Sequence, residues 1–407
     1  MANRKDNKGH KLKTGERLRE DGRYGYRYLD LNGKRREIYE KSLTELRIRE
    51  KQIEDEQEFE MSISPDLRNK TLNDLFDVYV EMRKLADTTY ENYKRMWNSI
   101  VRNELGKELV YNIKPSTIKM FYSGLSKKNY AKATIKYIHE LIMPTFEVAV
   151  DDELLDKNPA KRVKFSMYGR DAKERQALTV KQQENLLEFI ENSPVYNVYG
   201  PMLRIQLGTG LRAGELLGLT RHDFVLCKGE INIDHQLIYK NSGKGTQFKI
   251  SPPKTKAGNR KIPMTEDVKS AIREQLENNL RLGINNSYEI EGYSGFLFNS
   301  KSGRPMQLSA YNNVLKNIVK KYNLIETNKA KLERREPELL PAISSHILRH
   351  TGCTRMAESG MNIKILQYIM GHENVEVTLQ VYTHISDWNN VADEMGRIEL
   401  AMKAVNE

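Results

Sequence analysis

The chain has 407 residues, 39% of them hydrophobic, and carries a formal charge of +11 from 66 basic and 55 acidic side chains. That length allows two or three domains with ordinary cores, and the positive balance favours a polyanionic partner through non-specific attraction. Two cysteines (Cys227 and Cys353), a polar N-terminal stretch and the lack of any apolar run near the roughly 20 residues that span a bilayer argue against a disulfide-stapled secreted domain or a membrane protein and for a reducing, cytoplasmic setting.

Residues 1–36 hold 12 Lys/Arg against 5 Asp/Glu, a net of +7, and the balance reverses over residues 37–60. Tyr24 to Asp30 alternates with period two, Asp30-Leu31-Asn32-Gly33-Lys34 supplies turn chemistry, and a second run follows from Arg35 to Tyr39, so a small antiparallel sheet is expected. Leu43 to Glu60 reads as a charged, solvated helix that Ser62-Ile63-Ser64-Pro65 breaks. A compact basic module over residues 1–65 is the expectation, with a disordered basic arm as the alternative.

From Thr71 the pattern becomes helical. Leu72, Leu75, Phe76 and Tyr79 form one apolar stripe with Thr71 as its cap, and Tyr93, Met96, Trp97, Ile100 and Val101 form another. A third helix starts at Pro115 with Ile118, Phe121, Tyr122 and Leu125 on its inner face, and a fourth runs from about Ala131 to Val150. An all-helical domain is therefore expected over residues 70–165. Lys157 to Arg175 carries seven basic residues against Asp171 and Glu174 with little periodicity, so residues 166–176 read as a basic linker able to clamp phosphates. Thr179-Val180-Lys181-Gln182 has the form of a capping box opening the largest domain, over residues 177–387.

Within that domain, Gly208-Thr209-Gly210-Leu211-Arg212-Ala213-Gly214-Glu215 fits a loose dinucleotide fingerprint with Asp234 downstream, but no confident strand precedes it. The other reading is a glycine turn between helices that puts Arg212 in the first turn of the second, either to meet an anion or to pair with Glu215. Glu230–Tyr239, Gln247–Ile250 and Arg260–Pro263 are expected to form a three-stranded antiparallel sheet, with Lys254 to Asn259 at a hairpin tip. A lysine there either clamps backbone or hands a proton to a departing oxygen.

The C-terminal part carries the densest pattern: His346-Ile347-Leu348-Arg349-His350, Gly371-His372 and Tyr382-Thr383-His384. His346 and His350 have the spacing of zinc ligands, but Ile347 stands where a metalloprotease places its glutamate. Spacing of three instead puts His346 and Arg349 on one helical face, where a base and a guanidinium can converge on one group, and leaves His350 as a core histidine. Ile363, Leu366, Ile369 and Met370 form a following helix that keeps His372 close to Tyr382. Tyr382, one of 21 tyrosines, draws its interest from these neighbours.

Taken together these residues resemble the tyrosine recombinases of the phage-integrase family. Arg212 with Glu215 matches the family's Gly-Leu-Arg-x-x-Glu, Lys254 in Pro-Lys-Thr its hairpin lysine, His346 and Arg349 its His-x-x-Arg, Gly371-His372 its Gly-His, and Tyr382 with His384 its Tyr-x-His. The opening from Asn7 and the Ile233-Asp234-His235-Gln236-Leu237 stretch look like the integrases of Gram-positive conjugative transposons. The resemblance implies an α+β protein with an N-terminal β-sheet module that binds arm-type DNA sites, a helical core-binding domain, and a mainly helical catalytic domain holding a three-stranded sheet. It implies a homotetramer on double-stranded DNA, a tail helix over residues 388–407 docked on a neighbour or on its own domain, and an excisionase and a host DNA-bending protein as partners. Tyr382 is then the nucleophile, with Arg212, Lys254, His346, Arg349 and His372 as the catalytic set and with no metal or other cofactor. Two further function classes stay open: DNA relaxation of the type IB topoisomerase kind, and a catalytically silent DNA-binding regulator.

Overall fold

A computed structural model describes residues 5–30, 33–62, 69–171, 176–241, 245–253, 255–284 and 287–382. Lys254, His384 and the expected tail helix over 388–407 lie outside the described residues. The chain divides into two compact units, Met1–Lys173 and Glu174–Glu407.

The first unit begins with three antiparallel strands in the order β1 (Glu16–Leu18), β2 (Tyr24–Leu29), β3 (Arg35–Glu40). Tyr24 faces Glu40 and Leu29 faces Arg35, the register expected of a hairpin whose turn is closed by Gly33 N–H donating to the Asp30 carbonyl at 2.9 Å. β1 escaped the sequence reading because three residues carry no periodicity. It is held by its buried Glu16, which accepts from Arg47 Nε at 2.9 Å across from α1 (Leu43–Ser62). Leu46 of α1 and Tyr24 of β2 close this small core.

The same unit continues as helices α2 (Leu72–Met82), α3 (Asp87–Met96), α4 (Pro115–Lys127) and α5 (Lys132–Asp151). Thr71 caps α2 as expected: its hydroxyl accepts from Asp74 N–H and its own N–H donates to Asp74 Oδ2 at 2.7 Å. The second apolar stripe ends in a single wide turn, Trp97–Val101, which carries the Trp97 ring onto Phe76 at 3.9 Å between centroids. Both rings are fully buried, and the indole N–H is satisfied by Asn73 Oδ1 at 2.8 Å. The lysine-rich stretch from 157 has structure of its own. Short turns at Pro159–Arg162 and Phe165–Met167 pack on α5, Ala160 and Val163 join the helical core, and Gly169 N–H donates to Ser126 Oγ at 2.8 Å.

The second unit opens with α6 (Val180–Glu191), capped through the Thr179–Gln182 box that the sequence indicated. It continues through α7 (Gly200–Thr209) and α8 (Ala213–Gly218). A helix rather than a strand precedes the glycines, which removes the dinucleotide-loop alternative. Strands β4 (Phe224–Val225), β5 (Glu230–Ile233), β6 (Gln236–Asn241), β7 (Thr246–Ser251) and β8 (Arg260–Pro263) follow. A three-stranded antiparallel sheet is present, but its members are β4, β5 and β8, while β6 and β7 form a separate hairpin. The run read as one strand from Glu230 to Tyr239 breaks at Asp234-His235. There the buried His235 ring bonds Asp234 Oδ1 at 2.6 Å and the Gly218 carbonyl at 2.9 Å, turning the chain from one sheet to the other. β7 and β8 do not pair with each other, so residues 255–259 are no hairpin tip. β6 pairs with β7, Asn241 facing Thr246, and a short turn at Lys256–Gly258 precedes β8.

Helices α9 (Glu266–Arg281), α10 (Leu308–Glu333), α11 (Ser345–Glu358), α12 (Ile363–Met370) and α13 (Val375–Tyr382) complete the unit. The main core gathers Leu203, Leu207, Ile231, Ile262, Ile272, Leu315 and Leu348, among others, from helices and strands alike. α7 and α11 approach closely at Gly352, where an added Cβ would lie 2.4 Å from the Leu207 carbonyl oxygen. Gly352→Ala is expected to force these helices apart at a cost of about 1–3 kcal/mol, seen as a lower midpoint in urea unfolding. An unchanged midpoint would show that the contact yields freely.

Candidate active site

Four segments meet at one point in the second unit: the α7–α8 turn, the start of β8, the middle of α11 and the end of α12. Gly210 ends α7 in the left-handed region at φ 64°, where an added Cβ would meet the Met370 sulfur at 2.5 Å. That turn places Arg212 one position before α8, as its N-cap residue rather than in its first turn. Its backbone N–H donates to Glu215 Oε2 at 3.0 Å, Nη1 to Glu215 Oε1 at 2.8 Å and Nη2 to the Gly371 carbonyl at 2.7 Å. The pairing with Glu215 and a position open to a ligand prove compatible, because 40% of the Arg212 side chain stays exposed.

Arg349 comes from the inner face of α11 and is buried. Its Nη1 donates to the Gly210 carbonyl at 2.7 Å and its Nη2 to the Met370 carbonyl at 2.6 Å, so it ties the ends of α7 and α12 together. Burial first, and then the neighbouring Arg212 charge, push its guanidinium down to about 9, which still leaves it a cation at neutral pH. A third arginine, Arg260, lies wholly buried behind these two and donates to both oxygens of Glu215, at 3.3 and 2.9 Å. Glu215 thus serves two arginines directly with a third nearby, and three positive charges face one negative charge in a poorly solvated place. An anion is the natural complement.

Beside the arginines lies a cleft of about 700 Å³ lined by His346, Arg349, His350, Cys353, Met370 and His372, among others. His346 and Arg349 share it as their spacing of three anticipated. His350, expected in the core, is half-buried and lines the same cleft. His372 follows Gly371, whose φ of 61° ends α12 in the left-handed region. Thr378 Oγ1 bonds its Nδ1 at 2.9 Å, which leaves Nε2 for a ligand. Burial, and after it Arg349, Arg212 and Arg260, drive the His372 ring down to about 4, so it is neutral at physiological pH and able to give one hydrogen bond. Burial also lifts the Cys353 thiol to about 11, which removes it as a nucleophile.

Tyr382 occupies the last position of α13. Val377, Gln380 and Val381 of that helix line the cleft, but the tyrosine packs with Met356 and Met361 against the small cluster around Cys353 and Leu366. Its hydroxyl donates to the Met361 carbonyl, and burial raises its pKa above the ordinary phenol value. The structure therefore brings Arg212, Arg349, His346 and His372 together and holds the Tyr382 hydroxyl on a different partner.

Residues 176–388, more than half of the chain, match the phage integrase family, and residues 1–58 match the DNA-binding domain of Tn916 integrase. The transposase of transposon Tn1545 from Streptococcus pneumoniae is 34% identical, covering 97% of this chain and 96% of that protein. The transposase of Tn916 from Enterococcus faecalis shows the same identity and coverage. The chain belongs to the phage integrase family, the tyrosine recombinases. Among solved structures, the Tn1549 transposon integrase in complex with transposon right-end DNA superposes with a TM-score of 0.71 at 33% identity, covering 81% of this chain and all of that one.

Within this recombinase, sequence reasoning missed Arg260 and Thr378. A signal for the first was available: Arg260 and Ile262 alternate on the inner face of one strand, and an arginine there requires a buried counter-charge. Thr378 had none, since its bond to His372 depends on how α13 turns back.

Asp223, Asp234 and His235 bring three potential metal-ligand atoms within 4.8 Å of one another. Their oxygens and ring nitrogens are engaged by Thr220, Asn232 and Gly218, which makes this a structural corner.

The surplus of positive charge makes a direct prediction. Sulfate at about 100 times its Kd is expected to add about 2.7 kcal/mol to the second unit, a rise of about 5–10 °C in its Tm, and Arg212→Ala is expected to abolish most of it. An equal rise in the variant would assign the effect to general salt exclusion.

Proposed function

We propose that this recombinase cuts and rejoins double-stranded DNA at specific sites to integrate and excise a mobile element, through a 3′-phosphotyrosine link at Tyr382. The observation that carries the reading is the three-arginine, one-carboxylate cluster beside a cleft lined by two family-motif histidines and by the helix that ends in Tyr382. In this reading Tyr382 exchanges the Met361 carbonyl for a scissile phosphate. The phenol oxygen attacks phosphorus, its proton passes toward His346, and the bond to the 5′-oxygen breaks. Arg212 and Arg349 neutralise the nonbridging oxygens as charge accumulates, His372 adds a hydrogen bond, and Lys254 protonates the departing 5′-oxygen. The new ester retains the energy of the broken bond for the reverse attack by another strand's 5′-hydroxyl.

The Tn1549 integrase structures in complex with transposon right-end DNA and with a circular intermediate support DNA as the partner. Residues 1–65 form the arm-site module, 70–165 the core-binding domain, 166–176 the connection and 177–387 the catalytic domain in this reading. The active assembly is a homotetramer with the tail over 388–407 exchanged between protomers, aided by an excisionase and a host DNA-bending protein.

Recombination of paired sites, assayed beside relaxation of a supercoiled plasmid that lacks them, tests the function. Recombination with site dependence supports it, and site-independent relaxation alone would make the protein a topoisomerase. Lys254→Ala is expected to slow cleavage by about 100-fold or more and to recover when a bridging sulfur replaces the 5′-oxygen, because a thiolate departs without a proton. Equal impairment on both substrates would make Lys254 a binding residue.

A further inference from the structure

Arg260 combines complete burial of its side chain with bonds to three separate parts of the site. Nη2 and Nη1 hold the two oxygens of Glu215 at 2.9 and 3.3 Å, and Glu215 in turn holds Arg212. Nε donates to the carbonyl of Ile369 at 2.7 Å, two residues before Gly371, whose own carbonyl receives Arg212 Nη2 at 2.7 Å. Nη1 also donates to the Gly258 carbonyl at 2.9 Å, in the turn that connects β7 to β8. Gly371 fits this arrangement closely: a Cβ there would lie 3.0 Å from Arg260 Nη1 and 3.1 Å from the Ala257 carbonyl oxygen. The guanidinium fork suits this constellation in a way a lysine ammonium does not, because its Nε, Nη1 and Nη2 each donate to a different acceptor or pair of acceptors.

We propose that Arg260 is a positioning residue for strand cleavage, fixing the Arg212 fork and the Gly371-His372 corner in one register without touching DNA. The proposal rests on the recombinase reading above. Arg212 alone can swing about its side-chain torsions. With Glu215 clamped from behind and the Gly371 carbonyl held in place through Ile369, the exposed part of Arg212 keeps one orientation. Pre-set donors of this kind need no rearrangement as charge builds on the phosphate.

The test uses the full-length protein in single-turnover cleavage. Arg260→Lys, which retains the charge opposite Glu215 and loses the fork, is paired with Arg260→Gln in case one of them folds poorly. A folded variant is expected to cleave about 100-fold more slowly while DNA Kd is little changed. The slowing is expected to shrink on a methylphosphonate at the scissile position, which lacks the negative oxygen that Arg212 neutralises. It is also expected to be non-multiplicative with Arg212→Ala. A purely architectural role would lower the active fraction equally on both substrates and multiply with Arg212→Ala, and either result overturns the proposal. Absence of any tyrosine-linked adduct in the unaltered protein would defeat the recombinase reading instead. The positioning claim is then decided by the sulfate-induced rise in Tm, which Arg260→Lys diminishes as Arg212→Ala does if the claim is right and leaves intact if it is wrong.

Discussion

Tyr382→Phe is expected to eliminate the covalent protein–DNA adduct and to lower recombination by on the order of 10⁴-fold or more, while DNA affinity stays that of the unaltered protein. The expectation follows from what the hydroxyl does in the folded chain. It donates to the Met361 carbonyl, and the ring packs against the cluster around Cys353 and Leu366, so removal of one oxygen leaves the packing in place and leaves a backbone acceptor to be met by water. Stability is therefore expected to change little, which separates lost chemistry from lost fold. Adduct capture on a nicked substrate, with electrophoresis under denaturing conditions, reads the result. A covalent adduct retained by the phenylalanine variant would move the nucleophile elsewhere. The raised pKa of the phenol further implies that the DNA-free protein carries a protonated, unreactive Tyr382 throughout the neutral range. In the proposed mechanism activation comes with the substrate, when the side chain exchanges Met361 for the field of the arginines.

Glu215→Ala is expected to destabilise the second unit by about 3–5 kcal/mol, because it strands Arg260 in the interior without a counter-charge. Burial by itself would raise the Glu215 carboxyl, but the bonds and charge of Arg260, followed by Arg212, outweigh it and hold the group below its ordinary value of 4.5. The folded state thus binds the Glu215 proton less readily than the unfolded chain. Its contribution is complete above about pH 4.5 and is lost as the pH falls further. Urea unfolding between pH 3 and 7 checks both parts. The unaltered protein is expected to lose stability on the acid side more steeply than Glu215→Gln, which has no proton to take up. Parallel pH curves for the two proteins would show that the carboxylate's charge contributes nothing there.

Much of the architecture was legible in local pattern. The caps at Thr71 and Thr179, the hairpin from Tyr24 to Glu40 and the helices beginning at Pro115 and Lys132 arise from interactions within a few residues, which a linear reading captures. The pairing of Arg212 with Glu215 is of the same kind, since three residues separate them. The strands between Glu230 and Pro263 resisted because alternation alone does not reveal a break. Asp234-His235 continues the period, yet the buried His235 ring needs the Gly218 carbonyl, and that need redirects the chain into a second sheet. The expected pairing of Gln247–Ile250 with Arg260–Pro263 fails for the same reason, since β7 pairs with β6 and β8 with β5.

Residue identity and spacing are local properties, and they specify the chemical inventory: which cations, histidines and tyrosine the protein owns and in what order they occur. Long-range packing alone brings Arg260, on a strand far in sequence from Ile369, to close the charge cluster, and sets Tyr382 on Met361. Both outcomes depend on where backbone carbonyls at helix ends arrive after packing, and every residue carries such a carbonyl, so no pattern of side chains announces which will be used.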